Sequence, residues 1–170
     1  MRPILSLALL VMLVSPARAQ SSDDSTIPRS DIPKAVAGAV SCGTEPEFIT
    51  REAYAGGWLW KWQCAGNHAN YIQAHVFSRG KDGSGAQAIR FPTPHRGKDA
   101  WLDELSNGEF FPAAREFNHL FVDPENGRVC RTEARWVASR DPAKPQLVFW
   151  RETRDCEGKG GWRVLINRER

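Results

Sequence analysis

Cys42, Cys64, Cys130 and Cys156 are the only cysteines in the chain, and what they can do is decided by the segment in front of them. Arg2 is followed by an apolar run from Ile4 to Val14, interrupted only by Ser6 and closed by Ser15-Pro16. The run is shorter than the roughly 20 apolar residues that span a bilayer, and it has the length of a secretory signal core. Ala17-Arg18-Ala19 then places small residues at the two positions read by signal peptidase, so cleavage before Gln20 is expected. No cysteine follows the run that could carry a lipoprotein anchor, and no later segment is apolar enough for a membrane span. The expected location is the periplasm or the medium. In that oxidising setting an even number of cysteines reads as two disulfides rather than as thiol nucleophiles.

Four cysteines allow three connectivities. The sequential one, Cys42–Cys64 and Cys130–Cys156, is expected because each bridge would close a loop containing a hairpin. Loops of that size are worth roughly 3 kcal/mol each in the chain-entropy picture. A zinc site is the alternative, but there is no Cys-x-x-Cys and no Cys-His spacing of that kind. No metal or other cofactor is expected.

Removing residues 1–19 leaves 151 residues, the size of one domain, and lowers the formal charge from +3 to +1, because the signal carries two arginines and no acid. A nearly neutral domain gives no electrostatic reason to expect nucleic acid or a membrane surface as a partner. Residues 20–40 are rich in Ser, Asp and Pro without apolar period and read as a flexible leader, with a short helix over Pro33–Val40 as the alternative. Residues 41–170 read as a single globular domain.

Within that domain the dominant period is two. Trp58, Trp60, Trp62 and Cys64 alternate with Leu59, Lys61 and Gln63, so three indoles and a sulfur share one strand face. Tyr71–Phe77 and Ala86–Phe91 read as further strands. Cys130, Thr132, Ala134, Trp136 and Ala138 alternate with Arg131, Glu133 and Arg135, a half-buried strand with a charged outer face. Leu147–Thr153 and Trp162–Asn167 complete an antiparallel meander. Lys98–Leu105 has the look of a short helix, and Pro112–Phe121 is ambiguous, with Ala114, Phe117 and Phe121 at helical spacing. The expected fold class is α+β and β-rich: antiparallel meanders, one or two short helices and two disulfides.

No catalytic motif stands out. His68, His75, His95 and His119 lack the spacing of a metal site. Asp82-Gly83-Ser84-Gly85 fits neither a nucleophile elbow nor a phosphate loop and reads as a hairpin tip. The three tryptophans, Trp58, Trp60 and Trp62, could form an aromatic platform for sugar rings. Their large area and their shared face with Cys64 favour a packed core. The charged face with Arg131, Glu133, Arg135, Arg151 or Glu152, and Arg154 reads as a solvated sheet surface with cross-strand ion pairs.

Cys64 followed by Asn70-Tyr71, the run Leu147-Val-Phe-Trp150-Arg-Glu-Thr-Arg-Asp155-Cys156, and Trp162-Arg-Val-Leu165 resemble the C-terminal portion of an exported proteobacterial family known as domain of unknown function 1176. The resemblance covers residues 42–167. Arg154 stands where that family has a glycine-rich step, and the chain is about half the family's usual length. The resemblance implies an exported, disulfide-stabilised domain. It implies no activity and assigns no functional residue.

The function expected from these observations is a non-catalytic periplasmic or secreted protein that binds an envelope protein or glycan. The alternatives are a small envelope hydrolase or glycan-modifying enzyme, and an inhibitor or immunity protein presenting the loop Arg79–Gly85.

Overall fold

The computed structural model describes residues 26–40, 42, 46–67, 70–125 and 128–168; the expected signal segment and His68 lie outside them. The chain is β-rich and antiparallel, as the alternation requires. β1 (Phe48–Tyr54), β2 (Gly57–Asn67), β3 (Asn70–Ser78) and β4 (Gln87–Ala88) form the first sheet in that order. β5 (Phe91–Pro92) and β6 (Trp101–Leu102) make a small ribbon, and β7 (Glu104–Ser106) returns to pair with β3. β8 (Glu109–Phe111), β9 (Glu116–Val122), β10 (Arg131–Val137), β11 (Gln146–Thr153) and β12 (Arg163–Asn167) form a second meander sheet in reverse order, β12-β11-β10-β9-β8. One helical turn, α1 (Lys34–Ala37), and 3-10 turns at Arg29–Asp31 and Gly97–Asp99 are the helical content of the described residues.

The sheets bury one core between them. Tyr54, Leu59 and Phe77 from the first sheet meet Phe117, Ala134, Trp136, Leu147 and Trp150 from the second, with Ile89, Phe91 and Leu105 from the connecting segment. Asn70 joins the sheet edges directly: its Nδ2 donates to the Val122 carbonyl at 2.7 Å and its Oδ1 accepts from the Val122 amide at 3.0 Å. The ribbon is fixed to the second sheet by the Trp136 indole, which donates to the Pro92 carbonyl at 2.8 Å.

A second core lies on the other face of the first sheet, and it corrects the reading of residues 20–40 over their described part. Val36 is fully buried there with Ile49, Trp60, Trp62, Cys64, Ala74 and Val76, and Ile27, Ile32, Ala39, Val40 and Cys42 pack around them. Single apolar residues between Pro, Ser and Asp show no period, yet together they cover the indole face of β2. The disulfides are Cys42–Cys64 and Cys130–Cys156. The first ties the N-terminal segment to the strand it covers.

The helix expected over Lys98–Leu105 is absent, and the ambiguous stretch Pro112–Phe121 is not helical. Lys98–Leu105 forms the Gly97–Asp99 turn and then β6 and β7, whose backbones pair with β5 and β3. Eight residues nucleate a helix poorly in isolation, and the sheet edge offers hydrogen bonds instead. Pro112–Phe121 becomes a turn followed by β9, in which Phe117 and His119 point inward with period two. The strand expected over Ala86–Phe91 is split into β4 and β5. The tip at Arg79–Gly85 folds back onto the N-terminal segment. Gly83 is buried at φ +79°, and a Cβ there would lie 2.6 Å from Pro33.

Candidate functional site

The indole face does not form an open platform. Trp60 is fully buried and Trp62 nearly so beneath the N-terminal segment. The Trp60 indole donates to Ser78 Oγ at 2.8 Å, the usual arrangement for a buried indole N–H. Trp58 is half-buried, with the charges of Arg51 and Lys81 over its ring at 5.3 and 4.5 Å. What the sequence shows as one aromatic stripe is therefore the floor of the second core, with Trp58 at its margin.

The outer face of the second sheet carries ion pairs both within β10 and, as expected, across to β11. Glu133 accepts from Arg131 at 3.0 Å and pairs with Arg151. Arg151 also lies 4.0 Å from the Trp162 ring centre, and Arg135 lies 4.8 Å from that of Phe149. These stacked guanidiniums cover apolar surface as well as carrying charge. Glu152, which the alternation left open against Arg151, and Arg154, which it placed on this outer face, instead line a cleft on the other side.

That cleft has a volume of about 1660 Å³. The 93–106 segment supplies one set of lining residues, and the second sheet with its loops supplies the other. Trp101, Leu102, Phe121 and Val129 give it apolar surface, and Trp101 is one of the exposed large hydrophobic residues of the protein. At its base Glu152 is buried and held from three directions. The Trp150 indole donates to Oε1 at 2.9 Å, His95 Nε2 lies 3.1 Å from the same oxygen, and Arg163 donates to Oε2 at 2.9 Å. Burial opposes the carboxylate's charge, but hydrogen bonds from Trp150 and Arg163 and the nearby His95 and Arg163 charges outweigh it, so its pKa is lowered. The His95 ring packs edge-on against Trp150 with centroids 5.6 Å apart.

His119 is the second histidine of the cleft. Its Nδ1 accepts the Ser106 backbone N–H at 3.1 Å, so in the neutral ring Nε2 carries the proton. Burial pushes its pKa down to about 4, which keeps it a neutral donor across the ordinary pH range. Glu104, also on the lining, has its pKa raised by burial and then by the charge of Asp103. His75, by contrast, is sealed in the core between Phe91 and Phe117. The sulfurs of Cys42 and Cys64 lie within 4.8 Å of a Glu104 oxygen, but they are joined to each other and are not the thiolates a metal needs.

No sequence signal joined these groups. His95 and Glu152 are 57 residues apart, and only the path of the 93–106 segment along the second sheet brings them together. Inward alternation along β9 could have placed His119. Comparison with protein-family models, with curated proteins and with solved structures finds no match for this chain.

Proposed function

We propose that this is an exported binding protein of the periplasm or medium, without catalysis of its own, that holds an envelope protein segment or glycan in the cleft between the 93–106 segment and the second sheet. The observation that carries the reading is the form of the cleft: a large open volume with Trp101 exposed on its lining and a base whose polar groups are locked in place. Glu152 is saturated by three partners, and His119 is fixed in one tautomer by a backbone amide. Such groups shape and orient a binding surface. The two disulfides support export. A screen of oligosaccharides and peptides against the disulfide-bonded protein, read by thermal shift and tryptophan emission, tests it. Binding that Trp101→Ala weakens at least about tenfold, the scale of a central aromatic anchor, is expected. Binding unaffected by that change would remove the cleft from the proposal.

One observation favours a second reading, that of an envelope hydrolase. His95 beside a buried, ionised Glu152 is the arrangement that orients a histidine as a general base. Turnover of an ester, amide or glycoside substrate that disappears in His95→Ala and persists in Trp58→Ala would establish it over the binding reading.

A further inference from the structure

The lining of the cleft is segregated by charge. The 93–106 segment contributes Asp99, Asp103 and Glu104, and the second sheet with its loops contributes Arg128, Arg154 and Arg163. The two other carboxylates of the lining are engaged within the fold. Glu152 is held as described, and Asp155 accepts the backbone amides of Glu157, Lys159 and Gly160 at 2.8–3.1 Å. Asp103 pairs with Arg90 at 2.7 Å on the exposed rim. Asp99, Arg154 and Arg163 are exposed, and Arg163 meets Glu152 through one guanidinium nitrogen at 2.9 Å. Apolar surface from Trp101, Phe121 and Val129 completes the lining.

Each simple ligand class leaves part of this lining uncompensated. A neutral sugar chain could stack on Trp101 and hydrogen-bond to the charged groups through its hydroxyls, but it brings no opposite charge to either set. A polyanion would meet the carboxylates and a polycation the arginines, and like charges brought together oppose association. Resting on the binding reading above, we propose that the cleft takes a peptide of mixed charge: a basic group against the Asp99–Glu104 stretch, an acidic group against Arg154 and Arg163, and an apolar side chain near Trp101. The peptide's carbonyl oxygens suit the His119 Nε2–H, a neutral donor.

The test exposes the disulfide-bonded protein, immobilised, to an equimolar random hexapeptide library at low salt, with captured peptides identified by mass spectrometry. Peptides carrying both Lys or Arg and Asp or Glu are expected to be enriched. Arg154→Gln is expected to reduce selection for the acidic residue and Asp99→Asn selection for the basic one. Each should weaken a representative peptide by up to about fivefold, the scale of one exposed ion pair. Both positions are exposed, so the variants keep the wild-type melting temperature. Enrichment of uncharged or single-sign peptides, or mixed-charge enrichment unchanged in both variants, overturns the proposal. Capture of no peptide while chitotetraose, as a neutral sugar probe, shifts the Trp101 signal overturns it and leaves the binding reading intact. Response to neither probe overturns both.

Discussion

Glu152 shows how one side chain can hold a site together. Its two oxygens receive an indole, an imidazole and a guanidinium from β11, the 93–106 segment and β12. Glu152→Gln keeps the shape but replaces one acceptor oxygen by a donor and removes the charge. Hydrogen bonds to charged groups contribute about 1.5–3 kcal/mol. The variant is therefore expected to lose that amount in denaturant unfolding and to change the emission of Trp150; a loss below about 0.5 kcal/mol, within the range of a neutral surface substitution, would show that the contacts are incidental. None of this was legible in the sequence, where Glu152 is the single acid of β11 and alternation alone could not assign Arg151 or Glu152 to a face. The cysteines were legible, because their pairing follows from local hairpins. So was the burial of Trp60 and Trp62, though not what covers them.

At the scale of elements, alternation identified β2 and β10, and apolar runs bounded by turn signals identified β3 and β11. Alternation failed at β9, where a buried histidine occupies an apolar slot beside Phe117, and at β6 and β7, which are too short to show a period. The β1–β2 hairpin turns through Ala55 at φ 48° and Gly56 at φ 79°, and Tyr54 pairs with Gly57 across it. A two-residue turn of this hand needs positive φ at both positions, and an alanine there is strained. Ala55→Gly is expected to raise stability by up to about 1 kcal/mol, read as a higher denaturant midpoint at unchanged slope. The N-terminal segment is the larger element-scale finding. Deleting residues 20–40 while keeping Cys42 uncovers Trp60 and Trp62. A red-shifted emission, dye binding and a loss of several kcal/mol are expected, since each aliphatic side chain buried by the segment contributes about 1.5–3 kcal/mol. Emission and stability equal to the full protein would mean that the segment does not cover the sheet in solution.

At the scale of the whole molecule, two cores on either face of one sheet bury four of the seven tryptophans, Trp60, Trp62, Trp136 and Trp150, and the buried histidines make stability depend on pH. Burial, with the charge of Lys61 nearby and slight compensation from the Gln73 backbone, pushes the His75 pKa down to about 3. His119 is pushed down to about 4. The unfolded chain takes up both protons as pH falls through about 6.5, while the folded rings stay neutral. The stability these rings contribute is thus complete above pH 6.5 and lost progressively below it, by nearly 3 kcal/mol per pH unit where both protons are linked, between roughly pH 6 and 4. Unfolding titrations across that range should show the slope, and His75→Leu should roughly halve it. The antiparallel meanders were legible in the strand order. The cleft was not, because it is made by a connecting segment that lies along the second sheet.

Amide hydrogen exchange of the disulfide-bonded protein, with and without the tightest binder from the peptide and oligosaccharide screens, tests the central claim that this cleft is the binding site. Added protection over residues 93–106 and 150–163 is the expected result. Protection confined to the Trp58 margin or to the outer face of the second sheet, with the cleft segments unchanged, would contradict it.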